Sequence, residues 1–340
     1  MRTRPRRSRI ALIGLGVMLV LLASAARLIA APMLTRLPAG TDSASQYGGT
    51  ATLLNPTALA AGETTNIFTT DVPVTIDRHV TVTGTEGDIA ETTYDVTLNV
   101  AGKPGKTDRH IFAIDRVSME ATERPGDSSV ESATGVVFTL PLHPRAQNYE
   151  IYDTTTRSTV PLIYNGESAV RGRETYSYEL AAQGPVRNPR TSEALPNTLP
   201  RQAISQLLSK LAEVDRQQLG AALPTLPDLV PIAYTGSTMA TLQVDKVIGA
   251  PLDSTLHQTV TANVAVGDHL IALFPVIDIE AELTDSSIAR LIDTAESKSR
   301  SLTAVTIAIP LALLTIGVSL IGVGLVRRRV AISGTATASR

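Results

Sequence analysis

Val72-Pro73-Val74-Thr75-Ile76-Asp77-Arg78-His79-Val80-Thr81-Val82-Thr83-Gly84 is the stretch that decides the class of fold. Val72, Val74, Ile76, Val80 and Val82 are apolar, and Thr75, Asp77, His79, Thr81 and Thr83 stand between them until Gly84 closes the run. A period of two in β-branched residues describes a strand with one face buried and the other wet. Tyr94, Val96, Leu98 and Val100 repeat the pattern before a Gly102-Lys103-Pro104-Gly105 turn, so the two strands are expected to pair antiparallel. Outward from this pair, strands are expected at residues 110–116, 136–140, 160–164, 175–180, 239–248, 256–266 and 269–279. Arg124-Pro125-Gly126-Asp127 reads as a connecting loop.

Two helical patterns interrupt the strands. Pro200 suits a first helical turn, and Ile204, Leu207, Leu208, Leu211 and Val214 then share one face, predicting an amphipathic helix of five turns ending near Gly220. Ile288, Leu291, Ile292 and Ala295 predict another over residues 286–300. Residues 185–200 read as an exposed linker or lid.

The ends have a different chemistry. Residues 301–326 contain no charge and would span about 39 Å as a helix, more than the ~30 Å hydrocarbon core of a bilayer. Pro310 should kink this span, and Arg327-Arg328-Arg329 follows it directly, as cytoplasmic flanks do. Near the start, Arg2, Arg4, Arg6, Arg7 and Arg9 precede the apolar run 10–26, then Arg27 and Leu28-Ile29-Ala30-Ala31. This reads as an uncleaved anchor over 10–31 or as a signal peptide cut after Ala25, in the Ala23-Ser24-Ala25 triplet. Gly14, Gly16, Gly322 and Gly324 are expected to be packing glycines, and Ala308/Ala312 and Thr315/Ser319 have the small-residue spacing of a helix-packing face.

The organisation expected is therefore α+β: a cytoplasmic tail (1–9), an N-terminal transmembrane helix or signal peptide (10–31), a β-rich extracytoplasmic domain with an amphipathic helix (37–300), a C-terminal transmembrane helix (301–326) and a cytoplasmic tail (327–340). The expected location is a bacterial plasma membrane crossed twice, with both termini inside. Residues 37–300 carry 19 basic against 32 acidic side chains, a net of −13, which would repel nucleic acid rather than bind it. The absence of cysteine excludes disulfides, thiolate nucleophiles and Cys-ligated metals.

Several short stretches resemble the PorA family of actinobacterial cell-envelope proteins. They are Gly135-Val136-Val137-Phe138-Thr139-Leu140-Pro141-Leu142, then Tyr149-Glu150-Ile151-Tyr152-Asp153-Thr154-Thr155, Val160-Pro161-Leu162-Ile163-Tyr164 and Gly172-Arg173-Glu174-Thr175-Tyr176-Ser177-Tyr178. Leu242-Gln243-Val244-Asp245-Lys246-Val247-Ile248-Gly249 resembles a hairpin of that family, with Gln243 and Lys246 in place of its aromatic and proline. The resemblance implies an envelope protein of bacteria with a mycolic-acid or related outer layer, and it transfers no catalytic residue.

No catalytic motif, cofactor motif or metal-ligand spacing is present: the five histidines, His79, His110, His143, His257 and His269, form no helical i, i+4 pair. Asp115, Asp153, Asp245 and Asp278 are expected to do turn chemistry; as a convergent pair at about 5–10 Å they would instead suit glycan hydrolysis. Tyr149, Tyr152, Tyr164, Tyr176 and Tyr178 are the candidate ligand groove, for sugars or lipid headgroups, with cross-strand packing as the plainer role. The expectation is a non-enzymatic envelope protein that binds or transfers lipid or glycolipid, or supports envelope assembly, with membrane lipids, envelope glycolipids and further copies of the chain as its candidate partners. The alternatives are an oligomeric channel and a glycan-acting enzyme. A porin-like barrel conflicts with the 301–326 helix, which would lodge in the inner membrane before any barrel reached an outer layer.

Overall fold

The computed structural model describes residues 5–30, 33, 35–55, 58, 67–124 and 129–333. The chain forms two compact units, Pro38–Ala295 and Met1–Leu37 with Glu296–Arg340.

The larger unit is built on one ten-stranded sheet. Its strands are β1 (Asp42–Leu54), β2 (Phe68–Glu86), β3 (Ile89–Val100), β4 (Thr107–Asp115), β5 (Tyr149–Asp153), β6 (Ser158–Val170), β7 (Arg173–Pro185), β10 (Ala233–Asp245), β11 (Pro251–Val266) and β12 (His269–Leu283). Their order is β4-β3-β2-β1-β12-β11-β10-β7-β6-β5, and every neighbouring pair is antiparallel. Three meanders of sequential hairpins are thus sewn together by β1 on β12 and β7 on β10. The remaining short strands, β8 (Thr198–Pro200) and β9 (Leu229–Pro231), pair with each other.

The two edges, β4 and β5, do not stay open. Ile114 of β4 bridges Ala121, Glu120 bridges Val136, and Val136 bridges Ile151 of β5. Ala121 N donates to Gly135 O at 2.7 Å, Val136 N to Glu150 O at 2.8 Å, and Tyr152 N to Val136 O at 2.9 Å. A hydrogen-bonded path therefore runs from one edge to the other, which removes the free edge that invites aggregation. The strand expected at 136–140 is reduced to this single bridging residue. Gly135 has a φ of +75°, and a Cβ there would lie 2.6 Å from Glu150 O, so the chain turns sharply into Val136 and leaves the ladder at once. Of the loop expected at 124–127, residues 125–127 lie outside the described residues.

Strand β1 escaped the sequence reading because Ser, Ala and Gly fill it. Gly49 explains part of that composition: a Cβ would lie 1.9 Å from the Glu280 carbonyl oxygen of β12, so this crossing admits only glycine. The 246–249 hairpin forms despite Gln243 and Lys246. Asp245 Oδ1 accepts from Val247 N at 2.9 Å and Ile248 N at 2.8 Å, supplying the turn that a proline would otherwise preset.

The helix expected over 200–220 is two helices. After α2 (Pro189–Glu193), α3 (Arg201–Leu207) runs into a 3₁₀ turn, and α4 (Glu213–Ala222) follows. Leu211 and Ala212 between them are extended, with ψ of 155° and 152°. That break resets the helical phase: Val214, expected to face the core, is 65% exposed, whereas Leu219 joins Ile204 and Leu207 in a core with Val260, Val264, Ile271 and Phe274. Residues 185–200 are no free linker. Asn188 is buried, caps α2 through Oδ1 and donates from Nδ2 to Asp108 at 2.6 Å, and Leu199 is buried in β8. Helix α5 (Asp285–Thr303) begins directly after β12, capped by Thr284, and buries Ile288, Ile292 and Ala295 against Tyr47, Leu252 and Leu283.

The smaller unit pairs α1 (Pro5–Ala25) with α6 (Ile309–Ser333). Gly16 lies against Gly317 while Arg27 reaches Thr306, so the helices are antiparallel. A Cβ on Gly16 would lie 2.6 Å from Gly317 O, and one on Gly317 would lie 2.8 Å from Gly16 O. Gly14 and Gly322 meet nothing, and Ala308, Ala312, Thr315 and Ser319 are exposed; the packing stripe of α6 is Pro310, Gly317 and Gly324. Ala23, in the candidate cleavage triplet, is buried in this pair. Pro310 has no N–H for the carbonyl four residues back, which belongs to Thr306. There the helix loosens into a π turn, Ala304–Ala308, and Arg27 Nη1 donates to Thr306 O at 2.9 Å. Both helical segments are long and apolar enough to cross a membrane, and their outward faces expose Leu21, Leu28, Leu311 and Val318.

Gly49→Ala is expected to lower the unfolding free energy of the full chain in detergent by about 3 kcal/mol, through overpacking against β12. Gly87→Ala, at an open turn with φ +59°, should cost only about 1 kcal/mol. Urea titrations of the two variants measure the contrast.

Candidate functional site

One face of the large sheet is turned inward. Tyr47 of β1 registers with Ile76 of β2, which registers with Leu98 of β3, and on the other side Tyr47 registers with Leu283 of β12. Contacts across this face show that it is the concave one: Gln258 Nε2 donates to Thr155 Oγ1 at 2.6 Å, and the Phe112 and Tyr152 rings meet edge-on at 5.8 Å.

Arg78 is on this face. It takes the position between Ile76 and Val80 where the alternation of β2 calls for an apolar residue, registered between Ser45 and Val96. Its Nη1 donates to Tyr47 Oη at 3.0 Å, and its Cζ stands 4.4 Å from the Tyr47 ring centroid. Tyr47 Oη in turn shares a hydrogen bond with Ser254 Oγ at 2.6 Å, and both residues are buried. Arg78 Nε is buried with no acceptor. Among the described residues no carboxylate pairs with this guanidinium. The acid in its row, Asp108 beyond Val96, is already engaged by His110 at 3.1 Å and Asn188 at 2.6 Å. Around Arg78, Val80, Val96, Leu98 and Val100 face inward yet are only half-buried.

A second polar cluster closes the sheet. His110, 2% exposed, donates from Nδ1 to Glu131 at 2.8 Å and from Nε2 to Asp108 at 3.1 Å. Glu131 also accepts from Tyr152 Oη at 2.7 Å and Arg157 Nη2 at 3.2 Å. Burial works against a charge on His110, but the two carboxylates outweigh it and raise its pKa to about 9. Burial likewise opposes charge on Glu131 and Asp108, and their hydrogen bonds, led by those from His110, hold both below the usual carboxylate range. The cluster is thus two cations and two anions at neutral pH, tying β4, β5 and the bridging segment between them.

Four of the five candidate tyrosines come together. Tyr164 lies edge-on to Tyr176 at 5.6 Å and to Tyr178 at 5.7 Å, and Tyr149 meets Tyr178 at 6.0 Å. Tyr178 is fully buried, donates to Arg145 O at 3.1 Å, and has its hydroxyl pKa pushed up by burial. Tyr152 is apart from them, in the His110 cluster. The four aspartates also have partners of their own. Asp115 accepts from Val117 N and Ser118 N, Asp153 from Thr156 N, and Asp278 from Thr259 Oγ1 and lies against His257, while Asp245 pairs with Arg173. Among the described residues no group of three His, Asp or Glu is placed to hold a metal ion.

The short motifs of the family resemblance meet one another. Thr155 and Thr156 are buried in the β5–β6 turn, and a Cβ on Gly236 would lie 2.9 Å from Thr155 Cγ2. Gly249 O accepts from Leu140 N at 2.9 Å and from Thr139 Oγ1 at 3.0 Å. Arg78 and His110 carried no weight in the sequence reading. The signal for Arg78 was a charge on the apolar phase of β2; His110 had none, since its partners come from distant segments.

Fold and site together describe a β-rich protein with two apolar, antiparallel helices and a concave face holding an arginine that has no counter-ion among the described residues. The chain belongs to the Porin PorA family, whose model matches residues 9–326. No curated protein matches it.

Because the folded pKa of His110 lies above its ordinary 6.5, its contribution to stability is complete below about pH 6.5 and is lost as pH rises through 9. His110→Gln is expected to lower stability by about 3 kcal/mol at pH 6. The deficit relative to wild type should shrink steadily toward pH 9.5, read from urea midpoints across the range.

Proposed function

We propose that this protein is a non-enzymatic membrane protein of the cell envelope whose β-rich unit binds or passes along lipid or glycolipid. The two apolar helices serve as membrane spans. Their antiparallel pairing brings the start of α1, which contains Arg6, Arg7 and Arg9, and the end of α6, which contains Arg327, Arg328 and Arg329, to one end of the pair, and the positive-inside rule makes that end cytoplasmic. The Gly16–Gly317 contact favours retention of α1 as an anchor, because its removal would strip α6 of a closely fitted partner.

One observation carries the lipid reading: inward-facing Val80, Val96, Leu98 and Val100 keep accessible apolar surface on a concave face, where a close-packed core would bury them. Membrane lipids and envelope glycolipids are the partners this surface fits. A second reading, an oligomeric channel, draws on the family's name. It would require several copies, since one pair of apolar helices encloses no pore.

Purification of the full chain in a mild detergent, followed by lipid extraction and mass spectrometry, is expected to yield a lipid class retained in near-stoichiometric amount after extensive washing. No retained lipid, together with stepwise conductance in planar bilayers, would instead establish the channel.

A further inference from the structure

We propose that Arg78, backed by Tyr47 and Ser254, is an anion-binding site that takes the headgroup of a single-headed acidic amphiphile, a long-chain carboxylate or phosphate monoester. The proposal rests on the lipid-binding reading and names the ligand class for the same concave face.

Three observations converge on it. First, a guanidinium stays protonated at any physiological pH, so Arg78 brings a permanent charge onto an apolar surface. Placing a charge there without an anion is unfavourable by several kcal/mol, and folded proteins normally supply a carboxylate to offset it. Among the described residues none does: the row runs Ser45, Arg78, Val96, Asp108, and Asp108 is saturated by His110 and Asn188. Second, the support is built rather than incidental. Tyr47 holds Arg78 both through its hydroxyl and under its ring, and Ser254 fixes the Tyr47 hydroxyl in turn. This chain leaves Arg78 Nε without an acceptor, so a donor remains for a bound oxygen. Third, the side chains on either side, Ile76 and Val80 along β2 and Val96 and Leu98 on β3, are apolar, and all but Ile76 keep accessible surface. A charged head on Arg78 would therefore have hydrocarbon-compatible wall beside it, a combination that matches an acidic amphiphile and not a bare anion.

The test uses the full chain in a non-ionic detergent, with displacement of a fluorescent fatty-acid reporter by oleate, oleyl alcohol or inorganic phosphate. Wild type is expected to bind oleate about 10-fold more tightly than oleyl alcohol, as one charge-assisted hydrogen-bonded pair provides. Arg78→Gln should erase that preference while leaving the alcohol's affinity unchanged, and Tyr47→Phe should reduce it several-fold. Arg78→Met adds a readout independent of ligand: removal of the unpaired charge is expected to raise the thermal midpoint of the lipid-free protein. Oleate affinity unchanged in Arg78→Gln would overturn the site. So would a lowered midpoint in Arg78→Met with the acid preference intact, which would make Arg78 structural. Competition by phosphate alone as strong as by oleate would overturn the amphiphile in favour of a free anion. If wild type binds neither oleate nor the alcohol, the lipid reading itself fails, a result distinct from loss of the acid preference alone.

Discussion

An antiparallel sheet of ten strands has two edges, and the larger unit is organised by how it disposes of them. Neither β4 nor β5 finds a further strand, so single residues do the work: Glu120, Ala121 and Val136 span the gap with backbone hydrogen bonds. Such thin bridging contributes little by itself. What stiffens it is the charge cluster beneath, where His110 and Arg157 converge on Glu131, and where Asp108 and Asn188 extend the contact to the chain leaving β7. The curl that closes the edges also creates the concave face, so the His110 cluster and the Arg78 site are linked. The first spends its cations on internal carboxylates, and the second leaves its cation without one.

This contrast gives the two clusters different physical meanings. A buried charge with a full set of partners specifies one arrangement of segments and is costly to break. A charge held by neutral groups alone costs stability in the free protein and returns it on binding, which is the ordinary trade between stability and function. Four of the tyrosines that drew attention in the sequence carry no charge and pack on one another. Their rings meet edge to face across β5, β6 and β7, and Tyr178 is entirely enclosed.

The sequence was most informative where periodicity was strong. The alternation over 72–83 and 94–100 located β2 and β3, and the charge-free 301–326 segment located most of α6. It was least informative where tertiary contact overrode local preference. Strand β1 contains Gly49 because β12 passes too close for a side chain, a reason invisible without the partner strand. The 200–220 pattern concealed the extended Leu211 and Ala212, because both halves bury leucines on similar spacing. Val136–Leu140 has strand composition, yet only Val136 pairs, since its neighbours answer to Gly249 and to the turn at Gly135. Of the site, the family motifs were legible but proved to hold the fold together, whereas Arg78 was passed over inside the very stretch that revealed the strand.

The paired helices carry a consequence of their own. Pro310 leaves the Thr306 carbonyl without its helical donor, and Arg27 of the opposite helix fills the gap. In hydrocarbon or at its margin, neither a bare carbonyl nor a bare guanidinium is cheaply tolerated. Sliding one helix along the other by a single turn would expose both at once and would drive the backbones of Gly16 and Gly317 onto bulkier neighbours. The pair therefore resists piston-like displacement from two points along its length. It is a ratchet with two teeth, fixed in its internal register.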